Sequence, residues 1–357
     1  MAPLVALVAT LGVVNSVAPT SSTTTFPPAT NAPVTTTTAT PRVTLSAVGD
    51  TELGNSPQLP SDASSYFAPV KAALAAPIVF GNLEGTMTNA STSKCAIPST
   101  QCYAFRVPPS YATIYRDAGF TVLNAANNHS YDFGTVGAAD TTVALHSAGI
   151  VQAGLPGEIG VVRDGTLKVA FVDFAPYANT NNLLDFSAAA QLIARAKTLA
   201  NLVVVYMHAG EEGSSADHVT RASETFLGED RGNPFAFAHA AIDDGADLVI
   251  ASGPHVLRGM QFYKGHLIDY SLGDFTNYEN FSAAGDLNLS GILRVTLSDT
   301  GAFVSGRFTS VMLHSSGQAF VDPSGAAATF VNQLSKEDFG PSAAVISPRG
   351  AITPLVN

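Results

Sequence analysis

Cysteines and basic residues are scarce in this sequence, and each shortage excludes a class of protein. Two cysteines in 357 residues exclude a scaffold built on disulfides and any zinc module that needs several thiolates. Lysine and arginine number 17 against 28 aspartates and glutamates, a net charge of −11 that argues against a dedicated nucleic-acid binder, which needs a basic face. Charged residues make up 13% of the chain and hydrophobic residues 46%, so the chain can bury a sizeable core and wholesale disorder is excluded.

The first 42 residues differ in composition from the rest of the chain. Residues 1–17 are mostly apolar; this run is short for a membrane span and fits the apolar part of a signal peptide, although no basic residue precedes it. Residues 18–42 are rich in Thr, Pro, Ala and Ser, which predicts an extended linker. Together they predict a secreted or cell-surface protein. Outside the cytosol, Cys95 and Cys102 would close a short disulfide loop, and two free thiols remain the alternative.

Residues 43–322 alternate between predicted strands and helices. Continuous apolar strands such as 202–210 follow segments with helical spacing such as 187–200. This alternation predicts an α/β fold in which helices cover both faces of the sheet structure. Hairpin patterns between residues 260 and 313 add antiparallel strands. The pattern weakens after residue 322, and residues 323–357 are expected to form a loosely ordered C-terminal extension.

Polar side chains follow five of the apolar strands. In open α/β sheets, functional groups gather at the carboxyl ends of the strands. Carboxylate, amide and imidazole donors without thiolate suit Mn, Fe, Zn or Mg. Each residue alone has an ordinary structural explanation, such as a turn or a buried histidine, but five strand ends with such donors predict one shared polar site. The residues concerned are Asp50, Glu84, Asn128 with His129, His208 and His255.

Five blocks of the sequence contain these strand ends: VTLSAVGDTELG, IVFGNLEGTMT, VLNAANNHSYDFG, VVVYMHAGEE and GADLVIASGPHVLRGMQFYKGHLIDYSLGDF. In these blocks the chain resembles the CapA family of capsule-synthesis proteins, which are associated with poly-γ-glutamate and related to calcineurin-like metallophosphoesterases. The blocks cover residues 43–275 and agree with the family in order and spacing. The resemblance implies a four-layer α/β/β/α sandwich of the metallophosphoesterase type, with additional β-hairpins near the C-terminus.

The resemblance also implies roles for individual residues. Asp50 matches the first metal-binding aspartate, and Glu84 stands where metallophosphoesterases have a bridging aspartate. Asn128 would bind a metal, and His129 would face the substrate as a proton donor. Asp132 would orient His129.

Two histidines further along the chain complete the expected ligand set. His208 matches the single downstream histidine, and His255 matches the last one. Glu211 stands close behind His208 in a family-like position. Arg258, three residues after His255, is a candidate contact for an anionic substrate, and a surface arginine without function is the alternative.

Three departures from the family pattern weaken one metal position. Glu52 stands where metallophosphoesterases have the histidine of Asp-x-His, and it is either an additional ligand or a solvent-facing residue. The last block of relatives usually holds two histidines, and Ser252 and Gly253 stand here where the first would lie. Ala209 stands after His208, where relatives have an aromatic residue. Loss of a histidine removes a nitrogen donor, so sites for one ion and for two both remain open.

These observations leave three functions open. The first is an exported CapA-like protein of capsule or poly-γ-glutamate biosynthesis or export, with a metallophosphoesterase-like site. The second is a secreted metal-dependent phosphoesterase or related hydrolase, in which His129 would protonate the leaving oxygen. The third is a non-catalytic polymer-binding module on the same fold. The expected partners are an anionic polymer or a phosphoester, and capsule-synthesis machinery, but no nucleic acid.

Overall fold

Strands and helices alternate throughout the part of the chain that the structure describes. A computed structural model describes residues 40–95 and 102–355, together with residues 12, 16 and 18. The predicted signal-like segment and nearly all of the predicted linker lie outside the described residues. None of the helices in the described part is both long and apolar enough to span a membrane.

The described residues form twenty strands and six α-helices. The strands are β1 (Arg42–Glu52), β2 (Ile78–Leu83), β3 (Thr86–Met87), β4 (Arg106–Val107), β5 (Val122–Asn124), β6 (Val151–Ala153), β7 (Gly160–Asp164), β8 (Leu167–Phe174), β9 (Leu202–His208), β10 (Thr225–Phe226), β11 (Glu229–Asp230), β12 (Leu248–Ser252), β13 (Met260–Tyr263), β14 (His266–Asp269), β15 (Asp274–Asn277), β16 (Leu289–Ser298), β17 (Phe303–Leu313), β18 (Ala319–Val321), β19 (Ala344–Ile346) and β20 (Ala351–Pro354). The helices are α1 (Lys71–Leu74), α2 (Ala112–Ala118), α3 (Gly134–Ala148), α4 (Phe186–Leu199), α5 (Pro234–Asp243) and α6 (Ala326–Phe339).

Most of the strands belong to two large sheets. The first has ten strands in the order β19-β20-β17-β16-β1-β2-β5-β6, with β15 paired to β1 and β18 paired to β17. The second has six strands in the order β13-β14-β12-β9-β8-β7. Parallel strands β1, β2, β5 and β6 form one half of the first sheet, and parallel strands occupy the centre of the second. Antiparallel hairpins such as β16–β17 and β13–β14 extend both sheets, as the sequence predicts. The β13–β14 hairpin turns at Lys264 and Gly265, both with positive φ.

An apolar core between the two sheets holds them together. Leu45 and Phe80 from the first sheet pack in one cluster with Phe171, Val204 and Ile250 from the second. The rings of Phe80 and Phe171 stack with centroids 5.2 Å apart. Full burial of one such side chain stabilises the fold by about 1.5–3 kcal/mol. Helices α1–α3 cover the outer face of the first sheet, and α4 and α5 cover that of the second. The predicted α/β/β/α sandwich is therefore confirmed.

The parallel pairing of β1 with β15 positions the rim where the functional side chains gather. The backbone N–H of Asp50 donates to the carbonyl of Gly273 at 2.9 Å. A side chain at Gly49 would overlap that carbonyl oxygen, so glycine is needed at this close approach. The register then sets Asp50 beside Asp274 on one side and beside Asn82 on the other.

The C-terminal residues differ from the expectation of a loosely ordered extension. Residues 326–339 form α6, which packs against β13, β16 and β17 and so closes one edge of the sandwich. Strand β20 pairs with β17, which continues the first sheet to Pro354. The apolar face of α6 is short and rich in alanine, and it lies between polar residues; this is why the sequence pattern looks weak there, although Val331 and Leu334 are buried.

Truncation of Leu334 tests whether α6 contributes to the core. Leu334 is 2% exposed, and Leu334→Ala should lower the free energy of unfolding by about 2–5 kcal/mol because it leaves a cavity. The matched control is Lys336→Ala, at an exposed position of the same helix. Denaturant unfolding measures both, and equal stability of the two variants would mean that the helix is loosely attached.

Candidate functional site

The carboxyl ends of strands from both sheets meet at one rim. Asp50 lies near the end of β1, and its carboxylate accepts hydrogen bonds from the Ser252 hydroxyl and from the backbone N–H of Gly253 at 3.3 Å, both from the second sheet. His208 ends β9, with Nδ1 3.8 Å from an Asp50 oxygen. The five strand ends that the sequence singled out therefore supply Asp50, Glu84, His208 and His255 to one buried cluster, with His129 at its edge.

Asn82 connects the carboxylates of the first sheet. Its Nδ2 donates to Asp50 Oδ1 at 2.6 Å and to Glu84 Oε2 at 2.5 Å. Its Oδ1 accepts from the side-chain amides of Asn124 at 2.6 Å and Asn127 at 2.8 Å. The sequence analysis did not select Asn82, although it stands two residues before Glu84 and therefore on the same face of the strand.

The electrostatics of the cluster keep some groups charged and others neutral. Burial raises the pKa of the Asp50 carboxyl, but the hydrogen bond with His255 and the imidazoles of His208 and His255 outweigh it and lower the pKa to about 2. Burial raises the pKa of Glu84 well above its usual value, and the charge of Asp50 raises it further. Burial lowers the pKa of His208 to about 3, so its imidazole is neutral at pH 7, the form that binds a metal.

Two groups of side chains fit a divalent cation. The ligand atoms of Asp50, Glu84 and His208 all lie within 4.8 Å of one another, and so do those of Asp50, His255 and Asp274. Within the described part of the chain, Glu84 Oε1 and His208 Nε2 are buried without a hydrogen-bond partner. Such orphaned atoms are rare in folded proteins, and a bound ion is one recognised explanation. With their oxygen and nitrogen donors, the two groups suit Mn, Fe, Zn or Mg.

Asp274 is a further carboxylate of the cluster, which the sequence analysis did not select. Its Oδ1 lies 2.7 Å from His255 Nδ1, and its Oδ2 accepts from Asn277 Nδ2 at 2.9 Å. Burial raises its pKa, and burial also lowers that of His255, but the charge of Asp274 outweighs this and raises the pKa of His255 overall. The available signal was the dipeptide Gly273-Asp274, which repeats the Gly-Asp at the end of β1.

His129 and Asp132 form the expected pair beside the cluster. His129 Nδ1 lies 2.8 Å from Asp132 Oδ2, which also accepts from the backbone N–H of Phe105 at 2.6 Å. The Lys94 ammonium lies 2.7 Å from the other Asp132 oxygen. Burial lowers the pKa of His129, so the imidazole is neutral at pH 7. With Nδ1 committed to Asp132, Nε2 is left on the side of Glu84, 3.7 Å from Oε1.

A cavity of about 1070 Å³ opens beside His129. Asn128 lines it, and Asn128 Oδ1 is buried without a hydrogen-bond partner within the described ranges. Arg231 and Glu212 line the same cavity from the loop after β9. Cys95 and Cys102 are joined by a disulfide, and Cys102 lines the cavity together with Lys94. A substrate in this cavity would lie against the side chain of His129.

A comparison with protein families settles the family. Residues 44–279 match the model of the bacterial capsule synthesis protein PGA_cap. The chain belongs to this family. The PGA_cap chain is 30% identical over 244 residues to the PGA biosynthesis protein CapA of Bacillus subtilis, covering 63% of this chain and 59% of that protein. It is 29% identical over 209 residues to the capsule biosynthesis protein CapA of Bacillus anthracis, covering 53% and 47%. It thus spans about half the length of these curated relatives.

Solved structures with similar architecture include phosphoesterases. A 5'-nucleotidase precursor from Thermus thermophilus aligns with a TM-score of 0.41 at 13% identity, over 78% of this chain and 54% of that one. A purple acid phosphatase from yellow lupin aligns with a TM-score of 0.39 at 10% identity, over 79% and 53%. At these TM-scores the alignments carry no argument about the candidate site, and the description of the site depends on the geometry of this chain alone.

Two glutamates named from the sequence lie elsewhere than expected. Glu52 is buried, and its side chain accepts from Asn280, but it belongs to neither ligand group; burial and the charge of Glu84 raise its pKa. Glu211 is exposed, and the adjacent Glu212 points to the site instead, with Oε2 3.7 Å from His255 Nε2. The backbone turns at Gly210, where φ is 102°, and this turn decides which glutamate faces inward.

Arg258 has a structural position in the PGA_cap chain, neither on the surface nor in contact with the cavity. It is 1% exposed, and its guanidinium donates to Glu224 at 2.7 and 3.2 Å and to the carbonyl of Ala216 at 2.7 Å. Glu224 in turn accepts from the backbone N–H of Glu211 at 2.8 Å. Arg258 therefore fixes the loop that carries Glu212, and it is not a substrate contact.

Replacement of Arg258 tests this structural role. Arg258→Met should lower the free energy of unfolding by about 3–5 kcal/mol because it leaves Glu224 buried and unpaired. Arg116→Met, which removes an exposed arginine paired with Asp117, is the control and should change stability little. If denaturant unfolding finds Arg258→Met as stable as the control, the buried pair does not hold this loop.

Proposed function

We propose that this PGA_cap chain is an exported, divalent-metal-dependent hydrolase that acts in capsule or poly-γ-glutamate synthesis. The names of the relatives support the pathway. One observation carries the reaction class: two ligand groups that share Asp50 lie beside the His129–Asp132 pair, and His129 lines a large cavity.

The residues of each group have complementary tasks in this proposal. Asp50, Glu84 and His208 would hold one cation, and Asp50, His255 and Asp274 a second. A divalent cation in such a site acts as a Lewis acid and lowers the pKa of a bound water towards neutrality. Asn82 fixes two of the carboxylates through its amide, so their oxygens keep the same orientation with and without substrate.

His129 would move the proton during bond cleavage. Its Nδ1 donates to Asp132, so in the neutral ring Nε2 carries the lone pair. Nε2 would take a proton from the attacking water and then pass it to the leaving group. Lys94 neutralises Asp132 and donates to the backbone carbonyl of Asn128 at 3.0 Å, which holds this part of the rim together. The ring of Phe105 packs against His129 with centroids 4.5 Å apart and shields one face from water.

The reaction class covers two kinds of bond. Poly-γ-glutamate contains no phosphate, so phosphoester hydrolysis alone does not explain a role in its synthesis. Two-metal centres hydrolyse amides in aminopeptidases as well as phosphoesters in phosphatases, and the arrangement of Asp50, Glu84 and His129 suits either. We therefore propose metal-assisted hydrolysis, and the experiments compare a phosphodiester with a γ-linked glutamyl peptide.

Secretion is part of the proposal on separate grounds. The apolar and Thr/Pro-rich composition of the first 42 residues supports export. The disulfide between Cys95 and Cys102 is also more typical of an oxidising compartment than of the cytosol.

A non-catalytic polymer-binding module is the second candidate. The Ser252 hydroxyl donates to Asp50 where relatives of the metallophosphoesterase type have a histidine, and Tyr206 contacts the same hydroxyl. The hydrogen bond from Ser252 satisfies one oxygen of the Asp50 carboxylate without a metal. Polymer binding without hydrolysis under any metal would favour this candidate.

Removal of metal ligands tests the centre. Asp50→Asn and His208→Ala should each lower bound Mn at least tenfold by elemental analysis and abolish Mn-stimulated hydrolysis. Asp50 belongs to both ligand groups, and His208 supplies the neutral nitrogen donor of one of them. His146→Ala, an exposed histidine of α3, is the control and should retain wild-type metal content and activity. Wild-type metal content in both ligand variants would exclude the proposed centre.

Replacement of His129 separates proton transfer from metal binding. His129→Gln should lower kcat by about 10²–10⁴-fold while the Mn content stays at the wild-type level, because the imidazole belongs to neither ligand group. Asp132→Asn should have a smaller effect in the same direction. Steady-state kinetics on both substrates, with a chelated sample as the blank, measure these changes. Undiminished kcat in His129→Gln would rule out the proton-transfer role.

A further inference from the structure

His255 has the least regular backbone of the candidate ligands. It follows Gly253 and Pro254 and has a backbone φ of 59°, a conformation that residues other than glycine rarely adopt. Such a conformation persists only where the surroundings hold the residue firmly. The orientation of this imidazole therefore depends on what contacts each side of the ring.

Four residues surround the ring of His255. Nδ1 lies 2.7 Å from Asp274 Oδ1 and 3.3 Å from Asp50 Oδ2, so this nitrogen faces the second ligand group. The ring of Phe281 stacks on its face with centroids 4.5 Å apart. The remaining nitrogen, Nε2, faces Glu212 Oε2 at 3.7 Å.

Arg231 holds Glu212 in that position. The other Glu212 oxygen accepts from an Arg231 terminal nitrogen at 2.5 Å. Arg231 is 3% exposed, and its guanidinium lies over the rings of Tyr177 and Phe226, 5.9 and 5.5 Å from their centroids. A buried arginine clamped between two rings moves little, so the carboxylate that it holds is also fixed.

We propose that Glu212, held by Arg231, is a positioning residue that fixes the His255 ring with Nδ1 directed at Asp50 and Asp274. The pair thereby sets the affinity of the second ligand group for a divalent cation. Histidines that bind metals usually direct their other ring nitrogen at a carboxylate or carbonyl, which sets the tautomer and the orientation of the ring. This inference rests on the proposed metal centre and adds residues outside both ligand groups.

Glu212 lies between the His255 imidazole and the large cavity in which a substrate would bind. Glu212 lines the large cavity and also a smaller one, of about 190 Å³, that His255 and Asp274 line. It therefore stands between the cavity and the imidazole. A direct substrate contact by Arg231 is the competing explanation, and the experiment distinguishes the two.

Titration of the metal-free full chain with Mn²⁺ tests the proposal. We expect the wild type to bind two ions, and Glu212→Gln to weaken one of the two by about 10–100-fold while the other is unchanged. Arg231→Lys, which keeps the charge but loses the planar fork, should weaken the same ion to a smaller extent. Glu211→Gln changes the exposed neighbouring glutamate and is the matched control, expected to bind as the wild type does.

Several outcomes would overturn the proposal. If the wild type binds two ions and Glu212→Gln binds both with unchanged affinity, the positioning role is wrong while the metal centre stands. The same conclusion follows if the wild type binds one ion and Glu212→Gln does not change its affinity. If Arg231→Lys raises KM without changing Mn²⁺ affinity, Arg231 contacts substrate instead of supporting Glu212. If the wild type binds no Mn²⁺, the proposed metal centre itself fails. The melting temperature of each metal-free variant identifies any loss of affinity that comes from misfolding.

Discussion

Three almost completely buried carboxylates meet where the two sheets end, and the rest of the site depends on how their charge is balanced. Asp50, Glu84 and Asp274 are each 2% exposed or less. Burial of an unbalanced charge is strongly unfavourable. The structure compensates in part with the amide of Asn82, with raised pKa values for Glu84 and Asp274, and with the His255 imidazole, whose pKa the charge of Asp274 raises. Divalent cations would supply the remaining positive charge, which is why we interpret the cluster as a metal centre.

Both sheets are needed to build the cluster. The first sheet supplies the carboxylates and the second supplies His208 and the turn that carries His255. This division explains how far the site could be predicted from the sequence. Strand ends such as Asp50 and His208 were found because each follows a continuous apolar run, and parallel strands bring their carboxyl ends to one edge. The layered fold followed from the same alternation together with the family resemblance.

Features that depend on turns and on long-range pairing could not be predicted from the sequence patterns. Asp274 begins a strand instead of ending one, so the strand-end pattern missed it. The choice between Glu211 and Glu212 depends on the turn at Gly210, whose direction no periodicity specifies. The burial of Arg258 depends on Glu224, which is 34 residues distant in the chain and reaches it only through the folded loop. Sequence patterns report local periodicity, and these positions are decided by tertiary contacts.

Anomalous diffraction from crystals grown with Mn²⁺ tests the central claim most directly. The account predicts a peak within coordination distance of Asp50, Glu84 and His208, and a second near His255 and Asp274. A map with no anomalous peak at this rim, from crystals in which the three carboxylates are well ordered, would contradict the interpretation of the cluster as a metal centre.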